Sequence, residues 1–222
     1  THVSAEAGDV NEETCPSFVH AKMNFPARSG MPTVTLHWYE GRKDGKNVLP
    51  APELVKGEKE RGEDEYAVFF KNSTWKFFNP KERNPKRRLS TVSSGSFLVG
   101  SKATLFSPDD YGADAYIVTE GGVERLTGNP ETLPLNGGGD HGQKKEWVEA
   151  IKAGKPEMAL SNFGYSGLLT AAFILANVAV RTGKPFTGVG EKCMAADNKD
   201  AAKYIRREYR KGWDLIGYNE LA

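Results

Sequence analysis

His141 is the residue whose placement most invites chemistry. It follows Asp140, a candidate helix N-cap, and stands behind the run Asn136-Gly137-Gly138-Gly139. A side chain presented at a helix N-terminus meets backbone dipoles that favour anionic or oxygen-rich ligands. The plainer alternative is an exposed surface histidine, and the sequence leaves both open. A second cluster, Asn162, Phe163 and Tyr165, lies just ahead of the most apolar stretch of the chain. Polar groups on such a rigid support can meet a ligand; equally, they can cap the helix and pack its start. In a third cluster, His37 and Tyr39 share a strand face with Thr35 while Trp38 points the other way. Rings there serve as a stacking surface for a ligand or as core.

Other motifs are weaker. Gly188-Val189-Gly190 is a lone G-x-G followed by Glu191, Lys192 and Cys193, without the strand-turn-helix setting that cradles a pyrophosphate. Cys15 and Cys193 are far apart with no second Cys or His at ligand spacing. Two free thiols are expected, with no disulfide framework and no metal site. Thirty Lys and Arg against 29 Asp and Glu leave a net charge of +1, so nothing drives the chain generally toward nucleic acid or a membrane surface. Two basic stretches remain: the segment PKERNPKRR and a C-terminal helix with Lys203, Arg206, Arg207, Arg210 and Lys211. They read as solvated or interdomain faces rather than a nucleic-acid surface, because Glu208 interrupts the second and the chain is neutral overall. A cofactor-phosphate contact from Tyr209 or Arg210 stays open.

These groups need a scaffold, and its centre is Ser166 to Pro185, SGLLTAAFILANVAVRTGKP. Apolar on nearly every face, it is expected to be a buried helix, with Asn177 as a locally bonded core amide. Gly183 and Pro185 signal its end. Its 11 to 13 or so apolar residues fall short of the roughly 20 that span a bilayer. Upstream, Thr1 to Gly8, Phe18 to Phe25 and Thr33 to Tyr39 read as strands, the last two alternating as a hairpin. Gly41 to Glu65 has neither periodicity and reads as a surface excursion. Further strands are expected at Tyr66 to Lys71, Thr74 to Phe78, Ser96 to Gly100, Ala103 to Ser107, Ala115 to Thr119 and Val123 to Leu126. A helix from Asp140 to Ala153 would turn Trp147 and Ile151 inward, and a last one would run from the cap Asp197 to Lys211. With 222 residues, 38% hydrophobic, about nine sequential strands and helices only afterwards, the chain is expected to be a single α+β domain over residues 1–222. Its predominantly antiparallel sheet carries helices on one face. Its many aromatic residues exceed what one helical layer covers, so the open face is expected to dock on a second subunit.

Several ordered segments carry a resemblance: AEAGDVNEETCPSF, VTLHWYEG, GSFLVG, DHGQKKEWVEAIKAGKP, SNFGYSGLL, NVAVRTGKP and REYRKGWDL. Together they resemble the C-terminal domain of Gfo/Idh/MocA oxidoreductases, the glucose-fructose oxidoreductase and inositol dehydrogenase type, most of all the branch abundant in Planctomycetes and Bacteroidetes. The resemblance implies an open-faced sheet that shapes a sugar or polyol pocket and makes subunit contacts. It also implies an N-terminal Rossmann domain that binds NAD or NADP, and hydride transfer to or from a sugar or polyol carbon. Substrate contacts are then expected from His141, Asn162, Tyr165, Tyr39 and His37. The family's G-x-G-x-x-G, Glu-Lys-Pro lysine and Asp-x-x-x-His pair would lie upstream of Thr1, and Ala103 stands where relatives tend to have Gly. The chain is therefore expected to begin inside a longer protein. It should form at least a dimer, hold no catalytic residue of its own and bind no cofactor tightly. A bacterial cytoplasmic or periplasmic setting both fit. Two alternatives stay open: an NAD-using glycosidase of the same fold, and a non-catalytic binding or assembly module.

Overall fold

Alternation builds the first sheet. Val3, Ala5 and Ala7 of β1 (His2–Gly8) fall on one face with Val19, Ala21 and Met23 of β2 (Phe18–Phe25) and Leu36 and Trp38 of β3 (Val34–Lys43). The register Val3↔Met23 and Met23↔Leu36 aligns these residues across all three strands. The structure, a computed structural model, describes residues 1–54, 64–128, 139–189, 194–205 and 209–213. Its described residues are α+β, with antiparallel pairing throughout the sheets and helices that include the 20-residue α2 (Phe163–Thr182). They group into two compact units, Thr1–Asp44 with Leu133–Ala222, and Gly45–Thr132.

In the first unit α2 lies on the apolar face of β1 and β2. Leu175, Ala176, Val178 and Ala179 bury against Val3, Ala21 and Met23. The helix ends where Gly183 turns left-handed at φ 62°, as its sequence implies, but it begins earlier than Ser166, at Phe163, where Asn162 Oδ1 accepts from Gly164 N (2.9 Å). It is not buried all round, however: Leu168, Leu169, Phe173 and Ile174 are exposed, and so is Asn177. Asn177 is thus no core amide; it sits exposed on the side facing away from the sheet. Phe173 meets Trp38 edge to face at 5.9 Å between centroids.

Strands do not stop before the helices. After α2, β12 (Phe186–Val189) returns antiparallel beside β1, with Phe186 opposite Val3 and both fully buried, and β13 (Met194–Ala195) pairs with β12. The last helix is also shorter than its charge pattern suggested. Asn198, not Asp197, caps a 3-10 turn at Lys199–Ala201 that leads into α3 (Ala202–Ile205), and residues 209–213 are not helical. Asp197 instead accepts from the Thr187 amide (2.6 Å) and hydroxyl (3.0 Å), which hold its carboxyl below the usual range.

The second unit explains the aromatic excess. The hairpin of β5 (Ala67–Lys71) and β6 (Thr74–Phe78) turns at Asn72-Ser73, both left-handed, and β7 (Leu89–Thr91) completes a three-stranded sheet. The strands β8 (Ser96–Val99), β9 (Thr104–Ser107), β10 (Tyr116–Thr119) and β11 (Gly122–Arg125) form a four-stranded one. Trp75 and Phe77 from one sheet pack on Phe97, Phe106 and Tyr116 from the other. These rings, expected to face a partner, fill a core of their own; burial there pushes the Tyr116 phenol up to about 12. Gly41–Glu65 is not wholly irregular either, since β3 runs on to Lys43 and Lys46–Asn47 form the short β4.

Candidate functional site

Two places in the first unit bring chemically able side chains together. The first is the sheet face opposite α2. Register places Glu6, His20 and Tyr39 in one cross-strand row and Lys22 opposite His37 in the next. His20 Nε2 lies 3.0 Å from His37 Nδ1, so the two imidazoles share one proton as a donor and acceptor pair. The His20 ring stacks on Tyr39 with centroids 4.3 Å apart, and His37 stacks 5.3 Å from His20. Partial burial lowers both histidines, Lys22 lowers them further, and Glu6 works against this at His20. Glu6 is itself held by Lys43 at 2.6 Å. These effects favour the uncharged pair, in which one ring donates its N–H to the other and the stacked rings are presented to a ligand. Thr35 Oγ1 donates to Asn24 Oδ1 (3.0 Å) at the edge of this surface.

The second is a groove of about 640 Å³ where α1 (Gly139–Ala153) meets the start of α2. A carboxylate holds the two together: Glu146 accepts from the Leu160 amide, and a 3-10 turn at Pro156–Met158 packs on α1. Trp147, Ile151 and Phe163 supply apolar surface; Gln143, Lys144 and Asn162 supply polar groups. Trp147 and Ile151, expected to face inward, are 62% and 61% exposed and line this groove instead. The reason is that α1 is covered along only a short part of its length, so its apolar stripe has no sheet to bury against. Asn162 is committed at both ends, accepting from Gly164 N and donating to Ala159 O (2.9 Å each).

The five expected ligand contacts do not converge. His37 and Tyr39 share the sheet face turned away from α2, whereas Asn162 caps α2 on the other side of that sheet. His141 is exposed on the first turn of α1 and does not line the groove. Tyr165 belongs to the first turn of α2, and its side chain, like residues 136–138, lies outside the described residues. The contributions that the residue pattern did not announce are His20 and Trp147. His20 could have been found by extending the hairpin register from its turn, which sets it opposite Tyr39.

No nucleotide cradle forms at Gly188. It lies in β12, paired with Ala195, and a Cβ there would come 2.9 Å from Leu175 Cδ1, so this glycine admits α2 onto the strand. Arg210 is stacked over the Trp213 ring at 4.3 Å, and Tyr209 precedes it in non-helical backbone. Among the described residues no group of three or more His, Cys, Asp or Glu could hold a metal ion, and no helix is long and apolar enough to cross a membrane. Cys15 is a free, exposed thiol, and Cys193 lies outside the described residues. Comparison with family models, curated proteins and solved structures finds no match.

Proposed function

We propose that this chain is the substrate-side and assembly domain of an NAD(P)-dependent oxidoreductase acting on a sugar or polyol hydroxyl. The observation that supports it best is the groove between α1 and α2. Its volume lies within the range of small-ligand sites, and an exposed indole beside amide and ammonium groups suits the apolar ring face and hydroxyls of a sugar. The ordered resemblance to Gfo/Idh/MocA C-terminal domains points the same way. In this reading a Rossmann domain supplies NAD or NADP, and the exposed apolar strip of α2 is a surface for it to cover. The Gly188 amide donates to Thr1 O (2.7 Å) inside the sheet and does not fit a pyrophosphate, so no chemical step is assigned to the cofactor here. Self-association into at least a dimer through the sheet face belongs to the same proposal. Neither nucleic acid nor membrane is a partner in it.

The test is a panel of sugars and polyols titrated against tryptophan fluorescence, with Trp147→Phe and Trp147→Ala variants. Saturable quenching that weakens about tenfold in Trp147→Ala, about 1.4 kcal/mol, supports the reading. Calorimetry with NAD and NADP should give affinities no better than about millimolar, or 4 kcal/mol in magnitude. Micromolar cofactor binding would place the active site in this chain and overturn the assignment.

A further inference from the structure

One stretch of the second unit is strongly basic. Between Tyr66 and Val92, just after the exposed Asp64 and Glu65, there are seven Lys and Arg and one carboxylate, Glu82. From Asp109 to Glu124, across the strands β10 and β11 and the loops before them, five carboxylates stand with no Lys or Arg, and Arg125 follows bound to Asp114. Like charge concentrated along a hairpin and its loop repels itself and attracts anions.

Its geometry is that of a prepared surface. Val68, Trp75 and Phe77 turn into the core, so the alternate positions of the three-stranded sheet face outward: Phe69 and Lys71 on β5, Thr74, Lys76 and Phe78 on β6, Leu89 and Thr91 on β7. Lys76 Nζ donates to Thr91 Oγ1 at 2.6 Å in the middle of this face. The strand from Thr74 to Phe78 is about 14 Å long at the usual rise of roughly 3.4 Å per residue. Beyond Phe78 the loop to β7 is fixed by its own hydrogen bonds. Asn79 accepts from Lys81 N (3.0 Å), Asn84 accepts from Lys86 N (3.1 Å), and Glu82 accepts from Asn84 N (3.0 Å). The one carboxylate is thus turned to building the loop, while Arg83, Lys86 and Arg87 stand exposed.

We propose that this face docks an anionic polysaccharide. Carboxylate or sulfate groups meet the lysines and the loop arginines, and the apolar face of a sugar ring lies against the exposed side chain of Leu89. A single-stranded nucleic acid fits less well. It needs rings standing free for bases to stack on, whereas Phe69 and Phe78, the rings on this face among the described residues, are half-buried. The proposal does not depend on the oxidoreductase reading.

The full chain is tested by calorimetry and retention at rising salt against heparin fragments, polygalacturonate, neutral dextran and oligo-dT. The variants are Arg83→Glu/Lys86→Glu/Arg87→Glu, whose side chains are exposed, and Lys76→Gln, with circular dichroism confirming the fold. Binding to at least one acidic polysaccharide, weakened by salt and lost by about tenfold or more in the triple variant, supports the proposal. Dextran binding as tight as that of the acidic polymers, tighter binding of oligo-dT, no binding to either acidic polymer, or an unaltered affinity in a folded triple variant each overturns it.

Discussion

Gly41 offers the sharpest test of how the sheet holds its histidine cluster. It lies in β3 opposite Phe18, two residues beyond Tyr39, with φ +78°; a Cβ there would stand 2.2 Å from the Ser17 carbonyl oxygen and 2.8 Å from Phe18 Cα. Gly41→Ala therefore meets two costs. The left-handed conformation costs an alanine about 1–2 kcal/mol, offset in part by a less flexible unfolded chain. The overlap is with backbone, which no rotamer relieves, so β2 and β3 must part; forced packing of this kind costs about 1–3 kcal/mol. The sum is about 2–4 kcal/mol. Gly30, in the connection between the same two strands, supplies the control, since it has φ +73° with nothing within 4 Å of a Cβ. Gly30→Ala should cost about 1 kcal/mol. Urea unfolding of both variants gives the difference, and hydrogen exchange on β2 and β3 shows whether it is local. Equal destabilisation would mean that the Ser17 contact is relieved without effort and that the reasoning about the β2–β3 junction fails.

Trp75 is 2% exposed between Phe70 and Phe97, with its Nε1 donating to Pro50 O. Trp75→Ala should destabilise the second unit by about 3–5 kcal/mol in chemical unfolding, and a loss below 1 kcal/mol would deny that this core is close-packed. The His20 and His37 pair makes stability depend on pH. Both folded values lie below that of an ordinary imidazole, about 6.5, so the unfolded chain takes protons first, and the contribution present above about 6.5 is lost as pH falls through the folded values. The urea midpoint should drop between pH 7.5 and 5.5, and the drop should shrink in His20→Gln/His37→Gln; an unchanged slope in that variant refutes the pairing.

What the residues announced was mostly local. Asn72-Ser73 marked its hairpin because both residues tolerate the left-handed conformation they adopt, and Gly183 marked the end of α2 for the same reason. Strand alternation from Phe18 to Phe25 was equally plain, since one face meets a helix and the other does not. The failures arise where an outcome depends on what a distant segment covers. All-round apolarity suggests a buried α2, yet burial needs neighbours on every side; among the described residues the sheet and the segment Lys199–Ile205 cover part of the helix, and Asn177, Phe173 and Ile174 are exposed. Trp147 follows the same rule on α1. The aromatic residues were counted against one helical layer because nothing local told that Trp75 and Phe106 close a separate core between two small sheets. Four residues of β12 are too few to show a period, so its return beside β1 was not legible.

Of the candidate site, the strand-face half was visible in the sequence and the convergence was not. Residues two apart on one strand necessarily share a face, which fixed His37 with Tyr39, while His20 joined them only through cross-strand register. Gly188 teaches the converse. Its G-x-G spacing is compatible with a phosphate loop, but it stands in a strand, where a Cβ would meet the Leu175 Cδ1 at 2.9 Å and its amide donates to Thr1 O at 2.7 Å. An amide bonded inside a sheet does not turn to a phosphate. In the proposed reading, nicotinamide chemistry would draw its phosphate contacts from residues other than Gly188, and this chain would contribute the groove beside Trp147 and the stacked histidines on the sheet.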